Sequence, residues 1–460
     1  MNEEQQSPTA RSLAYEVLCT AEDRRGFVTD RLEQRLAAES WSGPERGLAV
    51  ELVHGVIQRQ GTLDVLLRAC SKRDRAHVEP ALWTLLRLGA YQLVFLDGIP
   101  AHAAVHETVE LTKRIGQPQW TGFANGLLRG LSRLLTVETS PAPGPRAVPL
   151  RDAMYRIIGE SIFSNPATDP AGYFSAAFSF PDWIARRWCD RFDRDELWRI
   201  GFWLNSPGRL CVRTNALHTS RETLLQSLAD ADVAAHPGVA PEAVWIDSPA
   251  RVQSLPGFSE GWFSVQDESA MHAARLLAPQ PGERVLDLCA APGGKTTHLA
   301  ELMQNEGAIV AVDVQEDKLN RIRENCDRLG LTIIQTHLSS IDEPSLPPGE
   351  FDAILLDVPC SNTGVLGKRP EARWRLRARD MEELAALQRR LLAFAFTRLA
   401  PHGRLVYSTC SIEPEENRQV VESVLAEQPG LQLETEQHHQ PGQPADGGYQ
   451  ALLRRSGFPA

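Results

Sequence analysis

From about residue 262 to the end, the chain repeats one unit: a short apolar run, a loop, then an amphipathic helical stretch. Arg284 to Leu288 reads as a strand, followed by a glycine-rich loop and a helix from about Lys295. Ala308 to Val312 is a second strand, with a helix around Lys318 to Leu329 behind it. Strands follow at Thr332 to Gln335, Ala353 to Leu356 and Leu405 to Tyr407. A helix from Met381 to Leu399 separates the last two, with Leu384, Leu387, Leu391 and Phe394 on one stripe. This alternation predicts an α/β fold with a doubly wound, mainly parallel sheet. Ligands in such sheets bind beyond the carboxyl ends of the strands, so the loops there are where chemistry is to be sought.

At 460 residues the chain is too long for one ordinary core, and two or three domains are expected. The first 135 or so residues read as a bundle of five to seven helices. Ala49, Leu52, Val53, Val56 and Ile57 share one helical face, and Ala14, Val17 and Leu18 begin a similar stripe, as do Leu82, Leu85 and Leu86. Ser42-Gly43-Pro44 and Asp97-Gly98-Ile99-Pro100 mark turns between them. Pro141, Pro143, Gly144, Pro145 and Pro149 then crowd together, which cannot continue a helix and reads as an extended linker. The expected organisation is an all-α domain over 1–140, a Pro-rich linker over 141–164, a small α/β module over 165–261, and the alternating domain over 262–456.

The chain is 42% hydrophobic and 23% charged, the profile of a soluble globular protein. Its polar start lacks the features of a secretory signal, and no apolar run approaches the roughly 20 residues of a membrane helix. A cytoplasmic protein with no membrane association is expected. The eight cysteines include no Cys-x-x-Cys pair, so no metal site is expected, and each thiol is either core filling or reactive. The net charge of −11 argues against indiscriminate coating of nucleic acid. Charge is nonetheless segregated: Lys368, Arg369, Arg373, Arg375, Arg377 and Arg379 face only Glu371 across residues 365–379. An anionic ligand should meet that segment, whose arginines suit phosphates and unpaired bases.

The first strand runs into Asp287-Leu288-Cys289-Ala290-Ala291-Pro292-Gly293-Gly294-Lys295. Small residues and two glycines let the backbone approach a ligand, and the following helix presents free N–H groups. The next strand ends at Asp313, where nucleotide-binding α/β folds place an acid against a ribose hydroxyl. The Walker spacing is absent, so a nucleoside cofactor without a pyrophosphate is favoured. Two further strand ends carry Asp357-Val358-Pro359-Cys360-Ser361 and Tyr407-Ser408-Thr409-Cys410-Ser411. Both cysteines and Asp357 thus fall on the rim of the sheet that holds the glycine turn. Read singly, each cysteine also fits a buried thiol at a strand end.

These motifs, with Thr296-Thr297 after the first and Pro414-Glu415-Glu416-Asn417 after the last, resemble the RNA 5-methylcytosine methyltransferases of the RsmB (Sun/Fmu) type. The likeness extends to the N-terminus, where Ile99-Pro100-Ala101-His102-Ala103-Ala104-Val105 and Gly122-Phe123-Ala124-Asn125-Gly126-Leu127-Leu128-Arg129 look like a NusB-like RNA-binding domain. Pro181-Asp182-Trp183-Ile184 and Arg213-Thr214-Asn215 look like the middle module, and Gln266-Asp267-Glu268-Ser269 like the entry to the catalytic domain. The resemblance implies a Rossmann-like methyltransferase domain that uses S-adenosyl-L-methionine, acts on RNA (small-subunit ribosomal RNA first), and works as a monomer. It implies Cys410 as nucleophile, Cys360 as the group assisting product release, and Asp357 as a contact to the base bordering the cofactor. A thiolate added at carbon 6 of cytosine makes carbon 5 nucleophilic enough to accept a methyl group.

Three positions depart from the family pattern. Thr336-His337 stands where a Gly-Asp pair usually holds the adenine amino group, so His337 occupies the cofactor position. Asn362 replaces a small residue, and Asp446-Gly447-Gly448-Tyr449 replaces Asp-Gly-Phe-Phe. His337 and the acidic total charge leave two alternatives: a non-catalytic RNA-binding assembly factor, or the same chemistry on transfer RNA.

Overall fold

The computed structural model describes residues 8–20, 28–247, 251–340 and 346–456. Residues 1–7, most of the polar start, lie outside them. The chain forms two compact units, Met1–Ser206 with Leu366–Arg375, and Pro207–Val365 with Leu376–Ala460.

In the first unit, seven α-helices run from Ala10 to Leu134 among the described residues. All five residues of the stripe from Ala49 to Ile57 are buried, as are those begun at Ala14 and at Leu82. The turn Ser42-Gly43-Pro44 is a helix start: Ser42 accepts from Glu45 N, and Pro44 sits in the first turn, where its missing N–H costs nothing.

The expected Pro-rich linker over 141–164 instead contributes strands Ala147–Pro149 and Tyr155–Ile158 to a three-stranded antiparallel sheet, whose other strand, Leu135–Ser140, ends the expected all-α domain. Pro149 ends an edge strand and the other prolines occupy the connecting turn, where proline is compatible with a sheet. Strands this short carry no readable period, so the proline density hid them. The expected small module at 165–261 is likewise divided. Helices Pro170–Phe178, Asp182–Cys189 and Arg194–Leu204 belong to the first unit, where Phe178 stacks on Trp198 and Tyr155 meets Phe202 edge-on. Aromatic burial, which stabilises by several kcal/mol in sum at about 25 cal/mol per Å², decides that side of the boundary.

The second unit opens with a four-stranded antiparallel sheet in the order Ala235–Pro237, Ala243–Ile246, Leu210–Thr214, Phe263–Val265. Helix Arg221–Asp230 covers it through Leu224 and Leu228. The large sheet follows. Its strands are β1 (Arg284–Leu288), β2 (Ala308–Asp313), β3 (Ile334–Leu338), β4 (Phe351–Asp357), β5 (Leu399–Thr409), β6 (Leu431–His439) and β7 (Gly448–Arg455), in the order β3-β2-β1-β4-β5-β7-β6. The first five are parallel, and β7 runs against both neighbours.

Both faces are covered, as a parallel sheet requires. Val285, Ile309, Ala311, Ala353, Leu355 and Val406 meet helices Glu268–Leu277, Gly294–Leu302 and Glu316–Leu329. Their sequence neighbours Leu286, Val310, Val312, Ile354, Leu356 and Tyr407 meet helices Ala378–Thr397 and Arg418–Glu427. On Ala378–Thr397 the buried line is Met381, Ala385, Gln388, Leu391, Leu392 and Ala395, so Leu391 of the expected stripe lies in it, with Leu384, Leu387 and Phe394 at its flank. The small Ala and the polar Gln388, which donates to Glu416, obscured it in the pattern.

Candidate active site

The strand order reverses between β1 and β4, which places a crevice at the carboxyl ends of β1, β2, β4 and β5. The glycine turn fills the β1 side. Ala290 N donates to Val312 O at 2.9 Å, Gly293 N to Ala290 O at 2.9 Å, and helix Gly294–Leu302 starts at once. Gly293 has φ 99°, and a Cβ there would lie 2.9 Å from Ile322 Cγ1, so the turn requires glycine. Asp313 ends β2 beside it, with Oδ2 accepting from Ala291 N at 3.1 Å and Oδ1 from Val314 N at 2.8 Å. Two backbone donors leave this carboxylate further lone pairs for hydroxyl groups. Asp287 is wholly buried, and its Oδ2 accepts from Thr296 Oγ1 at 2.7 Å. Burial pushes its carboxyl up to about 7, against the pull of the Thr296 hydrogen bond.

The register of β4 on β5 brings the two cysteines together. Asp357 lies opposite Ser408, and Val358 N donates to Ser408 O at 3.1 Å, so the two chains leave the sheet side by side. Cys360 Sγ and Cys410 Sγ end 3.2 Å apart, each half-buried. Gly364 tightens the loop: its N donates to Cys410 O at 3.0 Å, and a Cβ there would strike the Gly447 carbonyl. The Cys360 thiol is pushed up by its hydrogen bond to Cys410, then by burial. Lys295, from the first turn of helix Gly294–Leu302, donates to Asp357 Oδ2 at 2.7 Å, while Ser408 Oγ donates to Oδ1 at 3.0 Å. Burial works against the Lys295 charge, but Asp357 outweighs it and the ammonium is held above its ordinary range, with Cys410 adding to the effect.

Beneath the thiols lies Glu416, fully buried in the Pro414-Glu415-Glu416-Asn417 segment. Its Oε1 accepts from Ser361 N at 2.9 Å and Gln388 Nε2 at 3.0 Å. Its Oε2 accepts from Ser411 Oγ at 2.5 Å and from Ser361 Oγ. One carboxylate therefore ties the residue after Cys360 to the residue after Cys410. Burial raises its pKa against those hydrogen bonds.

The structure thus assembles Cys289 to Lys295, Asp313, Asp357, Cys360 and Cys410 on one rim. His337 is placed differently from the expectation that β3 ends at Gln335: the strand continues to Leu338, and His337 pairs with Val312 inside it. Arg373, counted in the basic segment, is not surface at all. It is fully buried in the first unit, donating to the carbonyls of Gln58, Ser179, Leu204 and Leu366 and to Asn205 Oδ1, over the ring of Phe180. Arg377 and Arg379 remain exposed. Sequence reasoning missed the roles of Ser408, Gln388 and Glu416. Glu416 alone left a signal, as an acidic pair close behind Cys410. Tyr449 is also buried, donating to Glu436 Oε2 at 2.6 Å.

Comparison with known proteins follows the same outline. Residues 274–456 match the 16S rRNA methyltransferase RsmB/F family, residues 8–133 the NusB family, and residues 180–253 the ferredoxin-like domain of RsmF/B-like methyltransferases. The chain is 38% identical over 423 residues to the ribosomal RNA small subunit methyltransferase B of Salmonella paratyphi B, spanning 90% of this chain and 89% of the relative. Among solved structures it resembles PH0851, with a TM-score of 0.77, 25% identity and coverage of 98% and 99%. It also resembles a methyltransferase homolog protein from Pyrococcus horikoshii, with a TM-score of 0.55 and 29% identity, covering 64% of this chain and all of that one.

Proposed function

The chain belongs to the RsmB/F family of ribosomal RNA methyltransferases, and from that membership we propose that it methylates carbon 5 of a cytosine in small-subunit ribosomal RNA, with Cys410 as nucleophile. The observation that carries the reading is the pair of sulfurs 3.2 Å apart, on the same rim as the glycine turn and beside the Lys295–Asp357 pair. Two structural thiols have no use for a lysine and a carboxylate at that spot.

S-adenosylmethionine fits the β1 side of the crevice. The Asp313 carboxylate keeps acceptor capacity for ribose hydroxyls, and a Cβ at Gly294 would meet nothing within 4 Å, so the turn is open there. Ala290 to Gly294 and Asp313 would hold it, and when bound it supplies an electrophilic methyl group.

The protein's own groups supply the rest. Cys410 loses its thiol proton to solvent and its Sγ bonds to ring carbon 6, assisted by the Cys360 S–H that donates to it and by the Lys295 charge. Attack places negative charge on the ring, and the Lys295 ammonium, held beside Asp357, stabilises that charge at ring nitrogen 3 by its positive charge and hydrogen-bond donors. Release requires the proton on carbon 5 to leave and the carbon–sulfur bond to break. Cys360 gives its proton to the departing Cys410 sulfur and takes the carbon 5 proton, which restores both thiols.

Purified protein is tested with ribosomal RNA and labelled S-adenosylmethionine. Cys410→Ala should abolish transfer, and Cys360→Ala should accumulate a covalent protein–RNA adduct. Full transfer by Cys410→Ala would end the assignment. Calorimetry with S-adenosylmethionine distinguishes an enzyme from a pure RNA binder, which needs no cofactor affinity.

A further inference from the structure

Asn362 sits in the loop after Cys360 with φ 61°, a conformation that asparagine tolerates better than most side chains. Its Nδ2 donates to Cys360 O at 2.9 Å. That bond fixes which end of the amide is which, because the flipped amide would set an oxygen against the carbonyl. Oδ1 is thereby turned to Cys410 Sγ, 3.3 Å away. An amide oxygen only accepts, so the contact is attractive when the sulfur carries hydrogen and repulsive when it is a thiolate.

We propose that Asn362 is a positioning residue that holds the Cys410 sulfur in its protonated, resting form in the substrate-free protein. The other groups facing that sulfur pull in different directions. Cys360 donates to it and Lys295 faces it with positive charge, both favouring the thiolate. Asp357 neutralises part of the Lys295 charge, and Glu416 lies behind Ser361 and Ser411. Asn362 is the acceptor that completes a chain Cys360 S–H···Sγ Cys410–H···Oδ1 Asn362 in which each hydrogen has a place. Entry of a base that separates Asn362 from the sulfur removes the acceptor, and the thiol ionises under the Lys295 charge with its proton passing to solvent. The catalytic consequence rests on Cys410 being the nucleophile; the protonation claim does not.

The test is the pH dependence of iodoacetamide labelling at Cys410, read by mass spectrometry on the full chain without RNA. Asn362→Gly keeps the backbone conformation and removes the acceptor. Its labelling midpoint should move down by about one pH unit, with labelling about tenfold faster on the acid side of the wild-type midpoint. Asn362→Asp sets a negative charge against the sulfur and should move the midpoint up. A midpoint unmoved or raised in Asn362→Gly, or unmoved or lowered in Asn362→Asp, overturns the proposal. A merely structural role for Asn362 would alter thermal unfolding but would not move the two midpoints in opposite directions. Labelling reports the proton whether or not the chain methylates RNA, so this result and the Cys410→Ala transfer assay fail separately.

Discussion

Replacing Glu416 by alanine removes the acceptor of four hydrogen bonds: Ser361 N, Ser361 Oγ, Ser411 Oγ and Gln388 Nε2. Not all four donors are orphaned. Ser361 Oγ and Ser411 Oγ are 3.1 Å apart, Thr363 Oγ1 is within 3.3 Å of both, and Gln388 Nε2 also donates to Pro359 O at 2.8 Å. The Ser361 N–H has no such replacement. One stranded backbone donor costs about 1–3 kcal/mol, and the loss of charge-assisted bonds to the hydroxyls adds about 1.5–3 kcal/mol. Against this, removing a carboxylate whose burial already opposes its charge returns about 1–2 kcal/mol. The net loss should be about 3 kcal/mol. Glu416→Gln keeps one acceptor oxygen for Ser361 N and Gln388 and offers an amide to hydroxyls that can accept, so it should lose only about 1 kcal/mol. Urea unfolding of both variants measures the difference, and methyl transfer should fall further in the alanine variant because both cysteine loops lose their common anchor. Alanine within about 0.5 kcal/mol of wild type, with transfer unchanged, would refute the role of Glu416 as that anchor.

Asp287 gives a pH dependence of definite sign. Its folded carboxyl, near 7, lies above the ordinary 3.8, so its stabilising contribution is complete below about pH 4 and is lost as pH rises through about 7. Roughly three pH units correspond to about 4 kcal/mol, and Asp287→Asn should flatten the pH dependence of unfolding in that window; parallel curves would contradict it. Arg373→Met strands buried carbonyls of Gln58, Ser179 and Leu204 and should destabilise the chain by about 3–5 kcal/mol in urea unfolding. Since Arg373 is buried, the salt dependence of RNA binding should keep its slope in that variant, while Arg379→Gln, at an exposed position, should reduce the slope by about one.

Much of this protein was legible in its residues because the signals were local. Apolar runs of strand length between amphipathic helices specify a doubly wound sheet, and the strand ends then specify which loops share its rim, so Asp313, Asp357, Cys360 and Cys410 follow from pattern and direction alone. Helical periodicity likewise placed the buried stripe from Ala49 to Ile57. What pattern could not supply were interactions between residues distant in sequence. Three short strands around prolines have no period to read and exist because they pair with one another. Arg373 looks like a surface charge from composition, yet five acceptors drawn from four separate segments enclose it. The spacing of the two sulfurs, the lysine on Asp357 and the carboxylate beneath both loops depend on the register of one strand on the next, and register is decided only when the whole sheet packs.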